Sequence, residues 1–213
     1  KKNLCKEIAY IGTQGEKKRI LLAVLSEKRL RLVLEKMLDE QEFLSPFGIR
    51  SVSLYHKEHP YSLEIDGHLY QVDYEPGVSH TKIFGGNSNW RGPVWFPLNF
   101  LIIESLQSFH HYYGDDFKVA FPTGSNNYLT LWEVAGEITT RLLTLFERNK
   151  DGKRPIFGDN MLLQQDPHFK DHVLFYEYFH ADTGEGLGAS HQTGWTSLIA
   201  KLMIQYTKPP GCF

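Results

Sequence analysis

Apolar residues recur at helical spacing in several separate segments of the chain, and this periodicity constrains the fold most. Between Leu21 and Leu38 they fall three or four residues apart, which predicts a helix with Ser26 as its N-cap. The same criterion predicts further helices at Phe96 to Tyr113, Thr130 to Arg148, Asp171 to Phe179 and Gly194 to Tyr206. No alternation of strands and helices accompanies them, so the sequence predicts an all-α fold.

The segment from Glu42 to Trp95 has no sustained helical period and is rich in Ser, His, Tyr, Gly and Asn. Loops longer than about 12–15 residues are uncommon in compact domains and usually carry function. The segment is therefore a candidate binding surface. Within it, Asp66-Gly67 stands between alternating apolar residues and predicts a β-hairpin from Leu63 to Val72.

Charge and cysteine content exclude several classes of protein. The 23 basic and 25 acidic residues give a net charge of −2, without the basic excess of a nucleic-acid binder or an anionic-membrane binder. The longest apolar run, Ile20 to Leu25, is far shorter than the roughly 18 residues of a membrane span. Cys5 and Cys212, the two cysteines of the sequence, exclude a disulfide scaffold and a zinc site of Cys ligands. This cysteine content is compatible with a cytosolic, reducing setting and does not establish it.

Aromatic, polar and charged residues gather in three loop clusters. The clusters are FLSPFGIRSVSLYH from Phe43, GGNSNWRGPVW from Gly85, and EYFHADTGEGLGASHQTGW from Glu177. Sugar rings stack on aromatic side chains while their hydroxyls need fixed hydrogen-bond partners. The composition therefore favours a carbohydrate site as one interpretation.

The segments FLSPFGIRSVS, GGNSNWRGPVWFPLNFLIIESLQSFHHYYG and LFYEYFHADTGEGLGASHQTGWTSLIAKL resemble the C-terminal part of glycoside hydrolase family 63. This is the family of processing α-glucosidase I, the mannosyl-oligosaccharide glucosidases. The resemblance runs from about Leu21 to Tyr206 and implies an (α/α)6 toroid, of which this chain would be the C-terminal part. The expected organisation is an N-terminal segment at 1–19, a partial toroid at 20–207 and a tail at 208–213. The opening residue, Lys1, fits the expectation of a fragment.

The same resemblance implies inverting hydrolysis of terminal α-linked glucose in oligosaccharides or glucosides. Such enzymes use one carboxyl group as general acid and a second as general base. Glu177, seven residues before Gly184, matches the family's base. The family's acid is an aspartate in a Ser-Gly-Leu-Asp-like element that this sequence lacks, so the acid is expected in the remainder of the catalytic domain. The isolated chain is therefore expected to be inactive, and no cofactor or metal is implied.

The substrate-binding residues implied by the resemblance lie in all three loop clusters. They are Phe47, Arg50, Trp90, Arg91, Gly92, Trp95, Tyr178, His191 and Trp195.

Structural roles stay open for several of these residues. Glu177 could be an ordinary surface or salt-bridged carboxylate, Trp95 a core aromatic, and Arg91 the partner of a structural carboxylate. Arg50 could hold its loop, and His191 could organise one.

Other loop acids match no acid motif of the family and are expected to be structural. These are Asp73, Glu75, Asp159, Asp182 and Glu185. The ten histidines include no HExxH motif, and adjacent His110 and His111 point to different helix faces.

Two alternative functions stay open beside the glucosidase. The chain could be a non-catalytic carbohydrate-binding or interaction domain that kept the aromatic pocket and lost the acid. It could also belong to a glucosyl-glycerate or mannosyl-glycerate hydrolase, because much of the aglycone side would lie outside this chain.

Overall fold

The computed structural model describes residues 10–12, 15–16, 19–80 and 89–206, with the side chains of 10–12 and 206 left out. The predicted tail at 208–213, most of the segment at 1–19, and both cysteines lie outside the described residues. Gly85, Gly86 and Asn87 of the second loop cluster do so as well.

Helices form in four of the five predicted segments, with corrected ends; the segment from Gly194 to Tyr206 holds two helices, and the short helix at Met161–Gln165 was not predicted. They are α1 (Glu27–Met37), α2 (Phe96–Tyr113), α3 (Leu131–Thr144), α4 (Met161–Gln165), α5 (Thr193–Thr196) and α6 (Leu198–Tyr206). The prediction for α2 is confirmed at both ends, where Pro97 lies in the first turn and Gly114 follows with φ 72°. The helix predicted to start at Leu21 begins after its N-cap, Ser26.

Thr130 caps α3 through a capping box. Its hydroxyl accepts a hydrogen bond from the Glu133 N–H, and the Glu133 carboxylate accepts from the Thr130 N–H at 2.8 Å. The predicted start is therefore confirmed, whereas the helix ends at Thr144 instead of Arg148. The predicted helix from Asp171 to Phe179 is wrong, because its last two residues form a strand.

The all-α prediction is wrong for the described part of the chain, which is mixed. Five two-stranded antiparallel sheets lie among the helices. Their strands are β1 (Tyr10–Gly12) with β2 (Leu21–Ala23), β3 (Leu44–Ser45) with β4 (Gly48–Ile49), β5 (Tyr61–Ile65) with β6 (His68–Val72), β7 (Lys118–Ala120) with β8 (Tyr128–Thr130), and β9 (Tyr178–Phe179) with β10 (Gly186–Leu187). Most are too short to leave a periodic signature in the sequence.

The core lies between α2 and α3, with α1 and α6 packed around them. Its buried apolar side chains include Leu34, Ile103, Ile138, Leu142 and Leu202. Among the described helices, none is long and apolar enough to cross a bilayer.

The β3–β4 hairpin is fastened to this core by side chains of α2 and α3. The Asn99 side chain accepts from the Ile49 N–H at 2.7 Å and donates to the Ile49 carbonyl at 3.0 Å. Arg141 donates to the Ser45 carbonyl at 2.7 Å. A Cβ at Gly48, where φ is 133°, would lie 2.8 Å from Asn99 Oδ1. These hydrogen bonds hold the hairpin directly on the helices. Arg50, the residue after β4, therefore lies where the loops meet the helical core.

The predicted hairpin at Asp66-Gly67 is confirmed as β5–β6. Both turn residues have positive φ, 50° and 77°, as a two-residue type I′ turn requires. The hairpin projects from the domain, and nearly all of its residues are exposed.

Candidate functional site

The three loop clusters meet at one residue, Val94. Its backbone pairs with Arg50 on one side and with Phe179 on the other, where both Val94–Phe179 hydrogen bonds measure 2.9 Å. The Ser51 N–H also donates to the Pro93 carbonyl at 3.1 Å. Segments far apart in the sequence thus form one continuous layer of loops over the helical core.

Glu177 leads into strand β9 at the edge of this layer. Its backbone N–H donates to the Leu187 carbonyl at 3.2 Å, and its carboxylate Oε2 accepts from the Ala189 N–H at 3.2 Å. A Cβ at Gly188, where φ is 71°, would lie 2.6 Å from the same Oε2. The partly exposed carboxylate is therefore oriented by a turn that leaves space for it only because residue 188 has no side chain.

Aromatic side chains from two loop clusters form a stack that includes Tyr178, the residue after Glu177. The Trp90 and Trp95 rings are parallel within 2° with centroids 3.7 Å apart, and Trp95 stacks on Tyr178 at 4.9 Å. Trp195 lies 5.6 Å from Trp95 at an angle of 59°. Trp95 is 1% exposed, whereas Trp90 and Trp195 are 39% and 36% exposed. The buried indole of Trp95 therefore supports an outer aromatic surface formed by Trp90 and Trp195. Burial, and then the nearby charge of Glu177, raise the pKa of Tyr178.

Arg91 is 2% exposed and belongs to a buried ionic cluster. Its guanidinium contacts the carboxylate of Glu75, donates to Ser79 Oγ at 2.6 Å and lies 3.5 Å from Asp73. The Arg91 N–H donates to Asn89 Oδ1 at 3.0 Å. The cluster joins the segment Trp90–Gly92 to the segment that follows β6, so the structure places Arg91 beneath the surface of the loops.

Arg50, whose backbone pairs with Val94, is also buried and belongs to a second network of hydrogen bonds. Its Nε donates to the Tyr74 hydroxyl at 3.0 Å, its Nη1 to the Leu44 carbonyl at 2.5 Å, and its Nη2 lies 3.3 Å from Asp182. The Tyr74 hydroxyl donates to Asp182 at 3.0 Å. Burial raises the Tyr74 pKa, so the phenol stays protonated. This network joins β4, the segment after β6 and the turn after β9.

The remaining predicted residues are distributed around this layer. Gly92 is buried, and a Cβ there would lie 2.7 Å from the Glu75 carbonyl oxygen. His191 is exposed, and its backbone bridges to Phe175. Phe47 lines a separate open cavity of about 600 Å³ together with Thr183, Glu185 and residues between 144 and 164. Neither Glu177 nor Trp90 lines that cavity.

Sequence reasoning missed one residue that builds this arrangement, Tyr74. Tyr74 carried no signal, because its role depends on pairing with distant Arg50 and Asp182. Elsewhere in the sequence, His168 and His172 stand four residues apart, a spacing compatible with metal binding that sequence reasoning also missed. Among the described residues, however, no group of three or more His, Cys, Asp or Glu side chains could hold a metal ion.

Chemically, the arrangement offers an oriented carboxylate, at Glu177, and an aromatic stack with exposed indole rings in the same layer of loops. A partly exposed carboxylate next to water can accept a proton, and an indole face can carry the apolar face of a sugar.

Curated relatives of the chain are much longer than it is. It is 52% identical over 198 residues to the Uncharacterized protein YMR196W of Saccharomyces cerevisiae, covering 92% of this chain and 18% of the relative. It is 26% identical over 178 residues to the Probable mannosyl-oligosaccharide glucosidase of Schizosaccharomyces pombe, covering 83% and 15%. It is 24% identical over 179 residues to the Mannosyl-oligosaccharide glucosidase of S. cerevisiae, covering 84% and 15%. The chain thus spans less than a fifth of the length of each.

Residues 20–196 match the family described as the mannosylglycerate hydrolase MGH1-like glycoside hydrolase domain. The match contains Glu177, the aromatic stack and both arginine networks. The chain therefore belongs to the MGH1-like glycoside hydrolase domain family.

Proposed function

We propose that the chain is part of an inverting α-glucosidase-like hydrolase of the family 63 kind, acting on terminal α-linked glucose of oligosaccharides. The observation that carries the proposal is Glu177, whose carboxylate is oriented by the Ala189 N–H at 3.2 Å and which precedes Tyr178 of the aromatic stack. Distant similarity to two mannosyl-oligosaccharide glucosidases supports the choice of substrate.

In this proposal Glu177 acts as the general base. The Ala189 N–H donates to one carboxylate oxygen and orients the group, and in this proposal the carboxylate orients and deprotonates a water molecule. The water oxygen attacks the anomeric carbon as Glu177 takes its proton, and the glycosidic oxygen departs with a proton from the general acid. In inverting enzymes the two carboxyl groups stand about 6.5–9.5 Å apart, which leaves room for that water. An α-linked substrate then releases β-glucose.

The proposed substrate contacts divide by exposure. Trp90, Trp195 and His191 present surface to a ligand, and we assign the stacking contact to Trp90. The buried residues Arg50, Arg91, Gly92, Trp95 and Tyr178 hold these contacts in place from beneath. Phe47 would contact the more distant part of a substrate.

The general acid and the closure of the toroid are proposed to come from the remainder of the catalytic domain. The toroid part of this chain would be residues 20–207. The exposed face of α2 carries Leu98 and Leu101 without a charged residue between them, which suits a neighbouring helix. The exposed hydroxyls of Ser105 and Ser108 on the same face are folded back onto carbonyls of their own helix.

A second candidate function is hydrolysis of a mannosyl-glycerate or glucosyl-glycerate. The description of the matched family favours it. The same base and the same aromatic surface would serve, while a cation near the aglycone would have to bind the glycerate carboxylate.

A third candidate, a carbohydrate-binding or interaction domain without activity, is motivated by the missing acid element in this sequence.

The test is hydrolysis of α-gluco-oligosaccharides and of mannosylglycerate by the full-length protein and its Glu177→Gln variant, with the product anomer followed by NMR. Initial β-glucose that is lost with Glu177→Gln supports the glucosidase, and release of mannose from mannosylglycerate supports the second candidate. Sugar binding without turnover in either protein would refute both enzymatic proposals and support a binding domain.

A further inference from the structure

The β5–β6 hairpin carries most of its apolar side chains on one face. Tyr61 pairs with Val72, Leu63 with Tyr70, and Ile65 with His68. Directly opposed residues and alternate residues of a strand share a face, so these six side chains lie together. We call this surface the hairpin face.

The opposite face of the hairpin is mostly polar. It carries Ser62, Glu64, Leu69 and Gln71, and the Gln71 amide donates to Ser62 Oγ at 3.1 Å. The hairpin is thus amphipathic, as a sheet is when one face is covered.

Within the described part of the chain, the hairpin face is open to solvent. Tyr61 and Tyr70 are 59% and 53% exposed, and Leu63 and Ile65 are also exposed. An isolated two-stranded hairpin is at best marginally stable in water, so an apolar face on one predicts a ligand or partner that covers it.

The dimensions of the hairpin face favour a small, elongated ligand. Five residues per strand at about 3.3 Å each give a length of roughly 17 Å, and two strands lie about 5 Å apart. A stable protein interface buries about 800 Å² on each partner, which is more than one face of so small a hairpin offers. A short oligosaccharide matches the length and width.

The chemistry of the hairpin face points to the same ligand. Tyr61 and Tyr70 occupy diagonal positions in the register, about 7–8 Å apart, and each combines an aromatic ring with a hydroxyl at its tip. A tyrosine ring can stack on the apolar face of a sugar while its phenolic hydroxyl forms a hydrogen bond with a sugar hydroxyl. The face contains no Lys, Arg, Asp or Glu, which suits a neutral glycan.

The hairpin is also continuous with the candidate site. Strand β6 leads through Asp73 into Tyr74 and Glu75, which contact Arg50 and Arg91. A glycan whose end lies beside Glu177 could therefore extend toward a surface that is tied to the same loops.

We propose that the hairpin face binds the sugar residues of a neutral oligosaccharide that follow the terminal one, with Tyr61 and Tyr70 as the stacking rings. The inference rests on the proposed function for the class of ligand, and not on the chemistry at Glu177.

The experiment is calorimetric titration of maltotetraose into the full-length protein carrying Glu177→Gln, which prevents turnover. Adding Tyr61→Ala and Tyr70→Ala should weaken binding by about tenfold, whereas Tyr61→Phe with Tyr70→Phe should keep most of it. Leu69→Ala is the matched control, because Leu69 is 63% exposed on the opposite face of the same hairpin.

Unchanged maltotetraose affinity in the double alanine variant would overturn the inference. So would a change in its oligomeric state or thermal stability without a change in affinity, which would mean that protein covers the hairpin face. In the protein with Glu177 restored, cleavage of 4-nitrophenyl α-glucoside tests the proposed function separately, because this substrate carries a single sugar residue. If no glucoside is cleaved but Tyr-dependent maltotetraose binding persists, the proposed function fails and the inference stands.

Discussion

Replacing Gly188 with alanine should displace the Glu177 carboxylate and lower the rate of hydrolysis more than the accompanying loss of stability explains. The new Cβ would lie 2.6 Å from Glu177 Oε2, 2.9 Å from its Cβ and 2.9 Å from a ring carbon of Tyr178. The carboxylate must therefore move, and it loses the hydrogen bond from the Ala189 N–H. Since a displacement of about 1 Å in a reacting group can cost about 10²-fold in rate, we expect kcat for glucoside hydrolysis to fall by about that factor.

The same substitution also strains the backbone, because φ at residue 188 is 71°. A side chain in this region costs about 1–2 kcal/mol, which corresponds to a fall in Tm of roughly 2–8 °C. Gly124→Ala is the matched control, since φ there is 82° and nothing lies within 4 Å of the added Cβ. It should lower Tm by a similar amount and leave kcat unchanged. Full activity in Gly188→Ala, or an equal loss of kcat in Gly124→Ala, would refute the reasoning.

Three further outcomes follow from contacts in the loops and at a helix cap. Arg91→Ala should lower the free energy of unfolding by about 3 kcal/mol in urea titrations, because it leaves the buried carboxylate of Glu75 without its guanidinium. Trp90→Ala should shift tryptophan emission to longer wavelength, because it uncovers Trp95, which is now 1% exposed. Thr130→Ala should cost about 1 kcal/mol at neutral pH, measured by thermal unfolding. Hydrogen bonds from Thr130 lower the Glu133 pKa from its ordinary 4.5, so this contribution is present above about pH 4.5 and is lost as pH falls through the lowered pKa.

Each of these outcomes has a counterpart that would contradict it. Glu27→Ala removes an exposed ion pair with Arg31 and should lower the free energy of unfolding by only about 0.5 kcal/mol. An equally small loss in Arg91→Ala would mean that the buried cluster stabilises the fold no more than a surface ion pair does. Unchanged emission in Trp90→Ala would mean that Trp95 stays covered by other groups. A Thr130→Ala deficit that stays constant from pH 7 to pH 3 would remove Glu133 from the explanation.

Helices with a wide apolar face could be predicted from the sequence because the signal repeats over several turns. Phe96–Tyr113 is recovered to the residue, since it also has Pro97 at its start and Gly114 at its end. Leu21–Ala23 could not be distinguished from a helix, because a short apolar run has no period of its own. Its strand conformation depends on pairing with residues 10–12, which no local rule predicts.

At the site, too, features that depend on local motifs could be predicted, and features that depend on contacts between distant residues could not. Motif order identified the loop clusters, and the structure brings all three together at Val94. The burial of Arg91 could not be predicted, because it depends on Glu75 lying in a neighbouring segment. Tyr74 was missed for the same reason, since its contacts reach 24 residues back to Arg50 and 108 forward to Asp182.

The Arg50–Tyr74–Asp182 network has a kinetic consequence. It joins three loops by hydrogen bonds and an ion pair that are already formed without a ligand. Loops that are ordered during folding do not have to be ordered again when a ligand arrives. Association beside Glu177 should then proceed in one step, with an observed rate that rises linearly with ligand concentration instead of levelling off at the rate of a loop rearrangement. Tyr74→Phe, which keeps the ring and removes the shared hydroxyl, should introduce that plateau.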